Sequence, residues 1–167
     1  MRSSSPDRFL FSQGHRVSDN VGVPVVTFSV PLSKLIHYSC LPNSSMLPLV
    51  NKDLGMLLTK VAPMDIQLVK AKVLVPDGES DDFFILNIMS TVSGIDKDQS
   101  IFSFVPGTKR IMSFKRLVHI NDCLGEKMLA RDTDYLWHIL VSEVLVDILR
   151  INEINGVEFQ LASEMNW

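Results

Sequence analysis

No stretch of this chain is long and apolar enough to be expected to span a bilayer. The longest candidate, VGVPVVTFSVPL, is broken by two prolines and falls well short of the ~20 residues a membrane helix needs. The opening MRSSSPDRFLFSQGHR has only Phe9, Leu10 and Phe11 before polar residues return, too little for the apolar core of a secretory leader. A cytoplasmic protein without membrane contact is the expectation. Cysteine is scarce as well. Cys40 and Cys123 lie far apart with no CxxC spacing, so neither a disulfide framework nor a zinc site is expected, and both suit small buried groups in a reducing compartment. Excess positive charge is missing too. The formal net charge is −3, which argues against nucleic acid and anionic lipid as partners.

The chemical templates are absent in turn. Without GxxxxGK[ST], or GxGxxG at a strand–helix junction, there is no phosphate cradle and no nucleotide cofactor to expect. Neither HExxH nor GxSxG occurs, and His15, His37, His119 and His138 are isolated from one another, so no metal is expected and the histidines read as hydrogen-bonded structural groups. His119, Asp122 and Cys123 lie nearly side by side, the one local set around which an enzyme or small-ligand pocket could be built. Alternate residues of a strand point to opposite faces, which weakens that alternative.

What remains is ordinary globular material: 167 residues, 46% apolar and 21% charged. That fits one domain over residues 21–167, led by residues 1–20 as a flexible arm. VPVVTFSV reads as a strand with Pro24 at an edge or start. NKDLGMLLTKVA repeats Leu54, Leu57, Leu58 and Val61 at helical spacing behind Asn51 as a cap, and Pro63 stops it. DIQLVKAKVLV reads as a strand, PDGESDD as a turn, and FFILNIMSTV as a central strand buried on both faces. IFSFV and IMSFKRLVHI flank Pro106-Gly107 as a hairpin. GEKMLA reads as a short helical piece, RDTD as a polar turn, LWHILV as a strand, SEVLVDILRI as a helix and GVEFQLA as a final strand. The irregular order predicts an α+β fold with a mixed, largely antiparallel sheet and a few packed helices.

A shift of 91 positions superimposes VNKDLGMLLTKVAPMDIQL on VSEVLVDILRINEINGVEFQL. Asn51 falls on Ser142, Leu54 on Leu145, Leu57 on Ile148, Leu58 on Leu149, Ile66 on Val157 and Leu68 on Phe159. A capped helix, a turn and a strand can therefore be read twice. Amphipathic patterning alone also generates such matches. On either view Ser142 is a cap before it is a nucleophile.

Two acidic stretches stand out, with Asp77, Glu79, Asp81 and Asp82 in one and Asp96 and Asp98 in the other. They lack the spacing and closing glutamate of a calcium loop, and fit either solvated loops or a surface that steers a basic partner. The cationic run TKRIMSFKR (Lys109, Arg110, Lys115, Arg116) is too small for a nucleic-acid stripe.

FFILNIMSTVSGIDKDQS resembles the segment of bacterial polymorphic-toxin immunity proteins in which an aromatic-rich strand enters a D-x-x-x-S loop, here Asp96 to Ser100. LWHILVSEVLVDILRINEINGVEFQLA is similar to the same family's ending, and VNKDLGMLL to its first capped helix, with Asn51 where serine is usual. The family is the eleventh of these immunity families, and the likeness runs over roughly residues 46–163. It departs in lacking the tyrosine of the strand–loop motif. The resemblance implies a non-enzymatic cytoplasmic antidote that binds a cognate secreted antibacterial toxin, nuclease-type and basic. The six carboxylates named above are then the candidate contacts. Nothing in the sequence sets an oligomeric state.

Overall fold

The computed structural model describes residues 5–44 and 46–161. A 3-10 helix, Arg8–Ser12, is followed by β1 (Val25–Thr27), α1 (Leu32–Leu35), β2 (Cys40–Leu41), β3 (Leu49–Asn51), α2 (Lys52–Val61), β4 (Ile66–Val75) and β5 (Gly78–Ile88). Then come β6 (Thr91–Val92), β7 (Ile101–Phe104), β8 (Ile111–Arg116), β9 (Leu129–Asp132), β10 (Ile139–Val141) and α3 (Glu143–Ile151). Strands form a five-stranded sheet in the order β1-β4-β5-β3-β2, a three-stranded sheet β10-β9-β6 and the two-stranded β7-β8. Among the described residues only the β1–β4 and β6–β9 pairings are parallel. The class is α+β, with mostly antiparallel sheets.

The apolar run after Asp82 occupies the middle of the large sheet, and its side chains alternate between two cores. Phe83 and Ile85 join Phe11, Val17, Leu35, Leu49, Ala71 and Val73 on one face. Leu86 and Ile88 join Val50, Leu54, Leu58, Ile66, Leu145 and Leu149 on the other. A period of two is what a pleated strand imposes. Helices α2 and α3 cover the second face with their leucines. Their starts are built alike, because the Asn51 side chain accepts from Leu54 N and the Ser142 side chain accepts from Leu145 N.

The first face needs another cover, and the N-terminal stretch helps to supply it. Phe11 is 1% exposed, and the Gln67 side chain pairs with the Val17 backbone twice, accepting from its N–H and donating to its C=O, both at 3.0 Å. Asn87 Nδ2 donates to the His15 carbonyl and to Gln67 Oε1. Where a flexible arm is expected over residues 1–20, Phe11, Ser12 and Val17 are buried, and at Val17 one side chain amide offers the backbone a strand-like pairing.

Other expectations shrink or fail. The polar turn of PDGESDD is confined to Pro76–Asp77, and Gly78–Asp82 already belong to β5. FFILNIMSTV breaks after Ile88, with Thr91–Val92 in the three-stranded sheet. GEKMLA is not helical: Asn121–Glu126 is a run of turns, and RDTD begins as β9, whose four residues are all buried. GVEFQLA forms no strand over residues 156–161. Asn155 instead clasps the segment before β2, accepting from Ser39 N at 2.7 Å and donating to the His37 carbonyl at 2.9 Å. The repeat thus survives as two capped helices, each following a short strand, without the strand after the second.

Truncating Phe11 tests the packed N-terminal stretch. Phe11→Ala should lower stability by about 3–5 kcal/mol, as for a buried core aromatic, read as a lower urea midpoint at unchanged slope. An unchanged midpoint would mean the stretch is free.

Candidate functional site

The six sequence-predicted carboxylates fall into two groups with different employments. At the turn of the β4–β5 hairpin, Asp77 Oδ1 accepts from Leu32 N at 2.9 Å and so anchors the start of α1. Glu79 pairs with Lys72 at 2.9 Å, and that pairing pushes the ammonium's pKa up. Between Ala71 and Val73 the ladder slips, so that two residues of β5, Asp81 and Asp82, oppose the single Lys72. That bulge leaves both carboxylates exposed side by side, a usual effect of an extra residue in a strand. In the second group Asp96 is turned inward on its own loop. It accepts from the backbone N–H groups of Asp98 and Gln99 and from Gln99 Nε2. Those bonds, Gln99's first, hold its carboxyl below the usual range. Asp98 is exposed.

Asp77, Glu79 and Asp96 are therefore committed within the fold. The side chains of Asp81, Asp82 and Asp98 make no hydrogen bond or ion pair among the described residues. The structure does not merge the two groups into one loop cluster. The first sits on the five-stranded sheet; the second lies in the connection from β6 to the separate β7–β8 hairpin. Between Asp82 and the second group runs the rest of β5, from Phe83 to Ile88, about 20 Å at ~3.3 Å per residue.

The alternative set around Cys123 also resolves. His119 meets His138 rather than a triad, with ring centroids 5.0 Å apart at 62°. The neighbouring anion is Asp132, buried and accepting from Gly94 N at 2.8 Å, Asp134 N at 2.8 Å and Tyr135 N at 3.2 Å. Asp122 is exposed on a turn with φ 56°. Burial, and then the Asp132 charge, push the Cys123 thiol up, the opposite of what activates a cysteine nucleophile. Neither ring nitrogen of His119 finds a hydrogen bond among the described residues, contrary to the expectation for a structural histidine. Burial pushes His119 down, and burial with the neighbouring His119 pushes His138 to about 4. Among the described residues no three His, Cys, Asp or Glu are grouped to hold a metal ion.

Sequence reasoning missed Arg131, 1% exposed in β9. Its guanidinium donates to the Leu136 carbonyl at 2.6 Å and the Phe11 carbonyl at 3.3 Å, and burial lowers its pKa to about 10. A charged pair in RDTD carries no sequence signal of burial. The exposure of the hairpin that carries TKRIMSFKR was missed too, although its interleaved cations and apolar residues were in view.

The fold and its sites define an α+β domain whose uncommitted charge lies at the surface. Residues 16–164 match the sequence model of the Immunity protein family (Imm11), and the chain belongs to that family. No curated protein matches it significantly. No helix among the described residues is long and apolar enough to cross a membrane.

The histidine pair sets a pH dependence. Both groups bind protons less readily when folded, so unfolding takes protons up. Stability should be fully present above the ordinary histidine value of 6.5 and be lost as pH falls from 6.5 towards about 4. Urea titrations across that window should show the decline, and His138→Gln should flatten it. An equally steep decline in the variant would place the linked protons elsewhere.

Proposed function

We propose that this chain is the antidote to a secreted antibacterial toxin, acting in the cytoplasm as a binding protein without catalysis. The match to the immunity family over nearly the whole chain carries this reading. The toxin partner is basic at the face it presents, as a nuclease groove is, and direct contact neutralises it. The exposed, uncommitted carboxylates Asp81, Asp82 and Asp98 supply the attraction. Asp77 and Asp96 hold the surrounding backbone, Glu79 holds Lys72, and all three stand at the edges of the contact. Charge placed in this way raises association rates more than final affinity.

The test is co-expression with the protein encoded immediately upstream of this chain's gene. A 1:1 complex that abolishes the neighbour's toxicity is the expected result. Absence of both binding and protection would remove the reading. In that complex, Asp81→Lys, Asp82→Lys and Asp98→Lys together should slow association by about 10-fold at low salt and by less at high salt. An association rate within twofold of the unaltered chain would move the contact away from these carboxylates.

A further inference from the structure

We infer that the β7–β8 hairpin is a docking arm for an acidic protein surface that presents an apolar side chain. This hairpin is a sheet of its own. One face fastens it to the body. Ile111 and Phe114 pack with Ile95 and Leu117, and the Phe114 and Tyr135 rings meet edge-on at 5.4 Å. Elsewhere it offers apolar groups to solvent, with Ile101 and Phe104 each 51% exposed and Met112 53%.

Its backbone is shaped to present them. The pairing with β7 slips twice, so that Lys115 and Met112 on β8 have no residue opposite. Bulges of this kind re-aim side chains. A strand edge guarded only against aggregation needs charge alone; here charge is interleaved with exposed apolar residues.

The charge is of one sign. Lys109, Arg110, Lys115 and Arg116 have no ion pair among the described residues, and from Gln99 to Asn121 the chain has no Asp or Glu. In a protein of net charge −3, this local excess selects a partner face bearing carboxylates. Beside it opens a cleft of about 410 Å³, lined by Phe102, Phe104, Ile111, Lys109, Lys97 and Asp134. Lys97 and Asp134 are paired with each other at 2.7 Å, which leaves Lys109 as the lining cation without an ion pair among the described residues. Such a cleft takes an apolar anchor whose carboxylate neighbours meet Lys109 and Arg110, the arrangement of an interface hot spot. A nucleic-acid platform would need open ring faces. Phe102 instead sits edge-on between Phe104 and Phe114, at 5.4 and 6.1 Å.

The occupant is the toxin proposed above, met on a second, acidic face, so the inference rests on that reading. Two variants test it against the upstream-encoded protein by surface plasmon resonance: K109E/R110E/K115E/R116E and F104S/M112S, with thermal melts to confirm folding. The first should weaken binding at least about 10-fold through a slower, less salt-sensitive association. The second should weaken it through faster dissociation. Hydrogen exchange on the unaltered complex should show protection over residues 101–116, and this arm stands even where a variant does not fold. If the unaltered chain binds while both folded variants stay within twofold and no protection appears, the docking arm falls and the antidote reading stands. If the unaltered chain binds nothing, both fall. If the cation reversal abolishes binding to a short single-stranded RNA while toxin binding is unchanged, the hairpin serves nucleic acid and the inference is overturned.

Discussion

The second half of β5, from Phe83 to Ile88, packs against a core on each face, and that constraint organises the rest of the molecule. A strand of this kind has no solvent side, so each face must be sealed. Helices α2 and α3 seal one with Leu54, Leu58, Leu145 and Leu149. Phe11, Val17 and Leu35 help to seal the other. Around Val17 the second cover is irregular backbone, which tolerates burial only where its polar groups find partners. The amides of Gln67 and Asn87 are those partners, bonded to Val17 and to the His15 carbonyl.

What was legible in the sequence is what local physics decides. Helical spacing behind Asn51 and Ser142 specified two helices with their caps, and apolar density specified the central strand. The parts that escaped are decided by distant groups. Arg131 and Asp132 look like loop residues, yet lie buried in β9 because carbonyls and backbone N–H groups receive them. GVEFQLA has strand-like composition but forms no strand over residues 156–161; before it Asn155 ties the chain to residues 37–40. The N-terminal stretch looks like an arm because the amide that holds it comes from β4.

The surface divides in the same way. Composition exposes every carboxylate equally, whereas pairing separates the six by employment. Asp77, Glu79 and Asp96 spend their charge on Leu32 N, Lys72 and their own loop. A single extra residue in β5 turns Asp81 and Asp82 outward together, and no periodicity rule announces a bulge. On the hairpin two such slips do the same for Met112 and Lys115. Asp81, Asp82, Met112 and Lys115 thus owe their display to irregularities in strand pairing, whereas Asp98 stands on a turn.

The bonds that close this fold join residues far apart in the chain. Arg131 reaches the Phe11 carbonyl across 120 positions and Asn155 reaches His37 across 118. Contacts of such separation repay their loop-closure entropy late, and proteins rich in them fold slowly. A chain leaving the ribosome would hold β4 and β5 with one face unsealed until α3 and Asn155 emerged. Completion of the fold would then lag behind synthesis of the central sheet, by the time α3 and Asn155 take to appear and dock.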